Sequence, residues 1–404
     1  MRVLYLTQWF EPEPAFKGVD FVKALQRSGL EVEVATGFPN YPGGKLYPGF
    51  QLRPYLRTEM DGLTVHRLYL YPSHSGSAVK RAINYLSFFL SCLIFGLLKG
   101  GRYDVIYVYH PPITPPFAVA LFSRLWRRPF IVDVQDLWPD SAIASQMVPP
   151  RFHGILSWMS QFVYRHATHL IAQSHGMYRR LADRSVPETK LSVIYNWSNY
   201  RPATEATSSR LSSQLDIQRI NAVYGGNLGQ AQSLESVVRA AILAQQSIPD
   251  FRLHLFGEGI ERAQLINAAN AAPRGIVQVH KRVSREEMDR IFEESDMLVL
   301  QLNEDPLYEI TIPSKLQHYL SCGKPIIAGL RGEAAELIRK AEAGLVSDPG
   351  DIQVMAGNMI TIAQLSPSMR REIGFKGFDY YNQHMCFEQA IKTTVELIRS
   401  TKKS

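Results

Sequence analysis

Cysteine is scarce in this chain. Cys92, Cys322 and Cys386 are the only three in 404 residues, and they lie far apart. Isolated thiols build no disulfide framework and no CxxC metal site, so a reducing compartment is expected. The N-terminus, Met1-Arg-Val-Leu-Tyr-Leu-Thr7, lacks the long apolar run and cleavage site of a secretory leader and reads as a buried first strand. Zinc-finger spacings and dense Lys/Arg tracts are also missing. A formal charge of +7 is modest for a nucleic-acid binder, and none is expected as a partner. The same balance suits an anionic membrane or anionic substrates.

Long apolar runs are few. One stands out at residues 83–98, INYLSFFLSCLIFGLL, flanked by Lys80, Arg81, Lys99 and Arg102. As a helix its length is roughly 24 Å, short of the ~30 Å hydrocarbon core of a bilayer. A buried core helix and a monotopic helix dipping into one leaflet both remain open; a full span fits less well. Trp126 among Arg124, Arg127 and Arg128 is a second candidate membrane contact, or a solvated helix end.

What is present is alternation. Strand-like runs at residues 3–6, 31–35, 64–68, 105–108, 130–134 and 169–172 are separated by helical patterns. In residues 18–27, Val19, Phe21, Val22 and Leu25 keep helical spacing, with Gly29 as the stop. Residues 198–213, rich in Ser, Thr, Pro and charge, read as a linker. A second series follows at 220–224, 252–256, 277–280, 297–302, 325–328 and 344–346. The expected fold is α/β, with two Rossmann-like parallel-sheet domains facing a cleft, residues 1–200 and 201–386. A last helix at 387–400 is free to pack back on the first domain. Ligands in such sheets bind beyond the carboxyl ends of the strands.

The strand ends carry the chemistry. After residues 297–302 comes Glu309-Ile-Thr-Ile-Pro313-Ser314-Lys315-Leu-Gln317, an acid followed by a helix start with a hydroxyl and an ammonium. Free N–H groups and a cation there suit a phosphate or diphosphate. Gly225-Gly226-Asn227-Leu228-Gly229, with Gln232 after it, follows the first strand of the second series; it is a phosphate loop or an ordinary strand-to-helix turn. Glu258, between Gly257 and Gly259, and the basic loop of Arg282 and Val283 end the next two strands. In the first domain, residues 12–18, ending at Gly18, can cover phosphates from the opposite side. Asn40 and Tyr41 suit an acceptor wall, and His110, Gln135, Asp136 and Asp140 follow strands of that sheet. Helix capping claims one of the two acids, and Asp136 is preferred as the catalytic one.

Together these segments resemble the GT-B glycosyltransferases of family 4 over nearly the whole chain. The family order appears as the Gly-rich loop at 225–229, Gly-Glu-Gly at 257–259, the acid-to-helix element at 309–317, Gly-Lys-Pro at 323–325 and Ala-Gly-Leu-Val at 343–346; Val-Ile-Tyr-Asn stands at 193–196. GFPNYP, SFFLS, DLWPDS, GGNLGQAQS and IPSKLQHYLSCGKP resemble more narrowly the bacterial enzymes that add N-acetylfucosamine-type sugars to lipid-linked O-antigen or capsule intermediates.

The resemblance implies retaining, metal-independent sugar transfer from a nucleotide diphosphate, UDP by expectation, to a lipid-linked saccharide. The enzyme would sit peripherally or monotopically on the inner face of the cytoplasmic membrane, without a cofactor. No Asp-x-Asp triplet occurs, in keeping with metal independence. Catalytic roles fall on Asp136, Glu309 and Lys315. Donor binding falls on Gly18, Gly226, Asn227, Gln232, Glu258, Arg282, Val283, Ser314 and Gln317. Asn40, Tyr41, His110 and Gln135 stand on the acceptor side. The chain departs from the family at Gln317, where a second acid is usual, at uncharged Asn227 and Gln232, where Arg and Lys are usual, and at Gln135, where many relatives have His. Two other readings are a nucleotide-sugar 2-epimerase of the same fold and a non-catalytic membrane-docked subunit.

Overall fold

The structure is a computed structural model that describes residues 1–73, 78–144, 148–200, 214–273 and 275–402. The chain divides into two compact units. Unit 1 holds Met1–Ile194 and Ile391–Ser404, and unit 2 holds Tyr195–Ala390.

Unit 1 is built on an eight-stranded sheet: β1 (Arg2–Leu6), β2 (Glu31–Gly37), β3 (Tyr55–Met60), β4 (Leu63–Leu68), β5 (Val105–His110), β6 (Phe130–Val134), β7 (His169–Ala172) and β8 (Leu191–Val193). The spatial order is β3-β4-β2-β1-β5-β6-β7-β8. All pairings are parallel except the β3–β4 hairpin. Near-continuous burial of β1, β5 and β6 is what a parallel sheet covered on both faces requires. The sequence reading missed β3 and β8. β3 is an edge strand with alternating exposure, and β8 has only three residues. The turn Asp61-Gly62, with φ of 51° and 79°, was the available hairpin signal.

Unit 2 carries six parallel strands: β9 (Ile220–Gly225), β10 (Phe251–Phe256), β11 (Val277–His280), β12 (Met297–Gln301), β13 (Ile326–Gly329) and β14 (Gly344–Ser347), in the order β11-β10-β9-β12-β13-β14. The strand order reverses between β9 and β12, as it does between β1 and β5 in unit 1. Crevices form at such switch points, beyond the strands' carboxyl ends. The loops after β9 and β12 are the Gly-rich and Glu309–Lys315 segments.

The border between units lies at 194/195 rather than at 200/201. Residues 195–200 belong with unit 2 because their side chains are anchored there. Trp197 packs edge-on to Phe387 at 5.1 Å, the Ser198 N–H donates to Tyr381 Oη (3.0 Å), and Tyr200 Oη donates to Glu293 (2.5 Å). The rest of the expected linker, 201–213, lies outside the described residues. The last helix, Phe387–Thr401, ends in unit 1, where Arg399 donates to the Ser28 carbonyl (2.6 Å) and Lys402 pairs with Asp104 (3.2 Å).

In unit 1, α1 spans Val19–Arg27, α2 Ala78–Lys99 and α3 Thr114–Trp126. The apolar run at 83–98 is thus part of a 22-residue helix, longer than its hydrophobic stretch suggested. It is no core helix: Tyr85, Phe88, Cys92 and Phe95 are buried, while Ile83, Leu86, Leu90, Ile94 and Leu98 are exposed.

Candidate active site

Unit 2 gathers most of the expected donor residues at one strand edge. β9 runs into Gly226, whose φ of +143° suits glycine. A Cβ there would lie 2.4 Å from Lys315 Cε. The Lys315 side chain therefore crosses the bare backbone of the Gly-rich loop. Its ammonium donates to Tyr224 Oη and stands 4.0 Å from the centre of the Tyr224 ring. Tyr224 Oη donates in turn to the Asn227 carbonyl (2.7 Å), so one phenol joins the cation to the loop. Burial pulls the Lys315 pKa down to about 7, and among the described residues no carboxylate offsets the lost hydration.

The two glycine turns lie backbone on backbone. A Cβ on Gly257 would fall 1.8 Å from the Gly226 carbonyl, and one on Gly259 2.1 Å from that of Leu228. The Leu228 N–H donates to the Glu258 carbonyl (2.9 Å). Asn227 and Gln232 meet each other: Asn227 Nδ2 donates to Gln232 Oε1 (3.3 Å), which also accepts the Gly229 N–H (3.2 Å). Glu258 is exposed, 3.5 Å from Arg262, and Arg282 is exposed on the loop after β11, with Val283 half-buried beside it.

The helix Ser314–Cys322 begins after Pro313. Ser314 is exposed at its first turn. Gln317 is not: its side chain is buried, and the amide orientation that satisfies its hydrogen bonds donates to the carbonyls of Pro313 (2.9 Å) and Ser314 (3.2 Å). The sequence reading placed Gln317 among the donor-binding residues, facing the cleft one turn into the helix; instead its amide stitches the helix start. A neutral amide can donate to its own helix's carbonyls, which a carboxylate cannot. Glu309 is exposed, and lines a small pocket with Tyr308, Leu330 and Arg331. Arg331 is held there by Glu304 and Asp348. Gly332 packs under Glu309, since a Cβ would come 2.1 Å from the Glu309 carbonyl.

Unit 1 presents a second set at the carboxyl ends of β1, β2, β5 and β6. Gly18 stands at the start of α1, but the place of its missing Cβ is filled by the Glu11 carboxylate, which accepts the Val19 N–H (2.8 Å). The α1 terminus is thus capped by the chain's own anion. Glu13, almost wholly buried, accepts the N–H groups of Asn40 and Tyr41 (both 2.6 Å) and ties the loop after β2 to the loop after β1. Tyr41 packs against Trp9 at 5.4 Å, and Asn40 is fully buried, its Oδ1 without a partner among the described residues.

His110 is fully buried and neither ring nitrogen has a hydrogen-bond partner among the described residues; burial holds its pKa at about 3, so it is neutral. Gln135 Nε2 donates to Asp133 Oδ1 (2.6 Å). Asp133 also takes the Tyr107 hydroxyl (2.5 Å) and the buried Lys17 ammonium. This ion pair fixes the loop of residues 11–18 from below. The sequence reading missed Lys17, Asp133 and Tyr224. The signal for Asp133 was an acid inside the apolar run Phe-Ile-Val-Asp-Val, which demands a buried partner. Asp140 is claimed by Arg184 (2.6 Å). The Asp136 side chain has no hydrogen bond among the described residues; it reaches solvent, yet the protein around it desolvates it enough to raise its pKa.

Two family models match the chain in succession. The Glycosyl transferase 4-like domain covers residues 19–197, and the Glycosyl transferases group 1 domain covers residues 219–364. The chain belongs to the GT-B glycosyltransferases. An Escherichia coli (strain K12) protein described as the colanic acid biosynthesis glycosyl transferase WcaI is 24% identical over 316 residues, 75% of this chain and 76% of its own. Among solved structures, Anabaena Alr3699/HepE in complex with UDP-glucose superposes with a TM-score of 0.68 at 16% identity, covering 99% of this chain and 100% of that one. Sucrose-phosphate synthase from Thermosynechococcus elongatus gives 0.72 at 16% identity, covering 99% of each. At that identity the two structures speak to the fold alone.

Proposed function

We propose that this glycosyltransferase belongs to family 4 and moves a sugar from a UDP-sugar to a lipid-linked saccharide in cell-surface polysaccharide biosynthesis, with retention and without a metal. The sugar is an N-acetylated hexosamine or deoxyhexosamine, and the work is done at the inner face of the cytoplasmic membrane. The observation that carries the reading is Lys315 lying across Gly226 at the switch point of unit 2. A cation over a Gly-rich loop, next to a helix start, is what a leaving diphosphate needs. The colanic acid relative supports the pathway class.

In this reading Lys315 and the exposed Ser314 end of its helix take the charge that develops on the departing diphosphate. Asn227 and Gln232 contribute hydrogen bonds rather than charge there. Glu258, Arg282 and Val283 hold the nucleoside, and Glu309 takes hydroxyls of the donor sugar. Asp136, exposed and with a raised pKa, orients the acceptor hydroxyl, whose proton passes to the departing phosphate as the new glycosidic bond forms. Gln135 acts by holding Asp133 rather than by touching substrate.

The test is a screen of UDP-, GDP- and ADP-sugars by thermal shift and nucleotide release, with EDTA, with and without a polyprenyl-diphosphate saccharide. Stabilisation by UDP-sugar and release only with acceptor supports the transferase. Release with an isomerised sugar and no acceptor identifies a 2-epimerase; no nucleotide binding identifies a non-catalytic subunit.

A further inference from the structure

The outward side of α2 is an apolar surface that the described residues of unit 1 leave exposed. Val79, Ile83, Leu86, Leu90, Ile94 and Leu97 recur at helical spacing and fall on one stripe; Leu86, Leu90 and Ile94 are 57%, 49% and 59% exposed. The opposite stripe, Tyr85, Phe88, Cys92 and Phe95, is buried. The helix thus has two apolar faces, only one of which the fold uses.

The surface continues across two more helices. α3 packs on α2 at close range: a Cβ on Gly96 would strike the Phe122 ring at 2.1 Å, and Trp126 Nε1 donates to the Gly96 carbonyl (3.0 Å). Phe117 of α3 stacks on Phe89 of α2 (5.7 Å) and meets Trp158 of the His153–His166 helix (5.5 Å). Leu125, Trp126, Phe152, Ile155 and Trp158 are exposed along this continuation.

Charge says what covers it. None of the three helices contains an acid. From residue 62 to residue 182 the only acids are Asp104, Asp133, Asp136 and Asp140, against twelve Lys and Arg. Asp133 and Asp140 are already paired with Lys17 and Arg184. Lys80, Arg102, Arg124, Arg127 and Arg151 are exposed at the ends of these elements. Exposed apolar side chains with tryptophans and a cationic rim complement an anionic lipid surface, whereas a protein partner of this size would meet acids as well as bases.

We propose that α2, α3 and the His153–His166 helix form a platform that docks on anionic lipid with α2 lying in the plane of one leaflet. This deepens the proposed function and rests on it for the nature of the acceptor. The same turn of α2 that carries exposed Ile83 carries Asn84, which accepts from Gln8 Nε2 (2.7 Å) at the end of β1. Docking therefore brings the lipid interface beside the strand ends that carry Asn40, Tyr41 and His110, where a lipid-linked acceptor would be presented.

The experiment is flotation of the full chain with phosphatidylglycerol and phosphatidylcholine vesicles, without nucleotide. The wild type is expected to float at least tenfold better with phosphatidylglycerol at low salt. Leu90→Glu/Ile94→Glu is expected to abolish flotation at an unchanged Tm, and Lys80→Gln/Arg102→Gln/Arg124→Gln to erase the lipid preference. Flotation unchanged by the glutamate pair would overturn the proposal. So would a lipid-free dimer that the same pair dissolves, or protection of α2 from protease on both sides of the vesicle. Because the readout needs no nucleotide, a chain that docks but fails the donor screen keeps the platform and loses only the donor reading.

Discussion

Tyr224 is the residue on which the donor site turns. It holds Lys315 by its hydroxyl and ring face, and its O–H reaches the Asn227 carbonyl. Tyr224→Phe keeps the ring and removes both hydrogen bonds. A hydrogen bond to a charged group contributes about 1.5–3 kcal/mol, so UDP affinity is expected to fall roughly tenfold or more with little change in Tm. Lys315 itself sets a pH dependence. With a free-state pKa of about 7, the cation that an anionic ligand requires is lost as pH rises above neutrality. UDP affinity should weaken above pH 7, by up to about tenfold per unit, with proton uptake on binding; Lys315→Arg should flatten the profile. Titration calorimetry from pH 6 to 9 in two buffers of different ionisation enthalpy measures both; a flat wild-type profile would remove Lys315 from the site. None of this coupling was visible beforehand. The motif around Lys315 stood out, but a tyrosine ending a strand reads as core, and only the fold shows its hydroxyl meeting an ammonium ninety-one positions later.

At the scale of elements, the two glycine turns of unit 2 act as one. Gly257 has a φ of +153° and backbone where a Cβ would go. Gly257→Ala is expected to cost about 2 kcal/mol or more, because a main-chain carbonyl cannot step aside as a side chain can. Urea unfolding reads the loss; a change below about 0.5 kcal/mol would mean the turns are not packed as described. The parallel strands were legible because their apolar runs are buried on both faces. The β3 edge strand was not, because solvent replaces half of its pattern, although Asp61-Gly62 marked the turn. The helix α2 misled in another way: its apolar stretch gave the position, yet hydrophobicity alone could not show that two opposite faces share it. Glu11 at the head of α1 and Gln317 folded on its own helix escaped for a common reason: side-chain direction follows from neighbours, not from spacing.

For the whole molecule, the deepest-shifted histidines are His110 in unit 1 and His254 in unit 2, both buried, with pKa lowered to about 3 by burial. His254 Nε2 bonds Asn221 Oδ1 (3.0 Å), and its Nδ1 meets His280 Nε2 (3.1 Å). In the unfolded chain these groups titrate near 6.5, so between about pH 6.5 and 3 the unfolded state binds more protons. Stability is full above about pH 6.5 and falls as pH drops, by about 1.4 kcal/mol per unit for each histidine, or ~2 kcal/mol each at pH 5. Urea midpoints at pH 7 and pH 5 should differ accordingly, and His254→Asn should reduce the difference; equal midpoints would contradict the burial of both rings. The division into two α/β units and the family were legible from strand rhythm and motif order. The border was less so, since Trp197, Ser198 and Tyr200 look like linker and behave as anchors.

The most direct test of the central claim is UDP release from UDP-N-acetyl sugars by the purified chain on vesicles carrying polyprenyl-diphosphate saccharides, beside Lys315→Ala. Release that requires the lipid-linked acceptor, and falls at least a hundredfold in the variant together with UDP affinity, is the predicted result. Release equal in both proteins, or no UDP binding by the wild type, would contradict it.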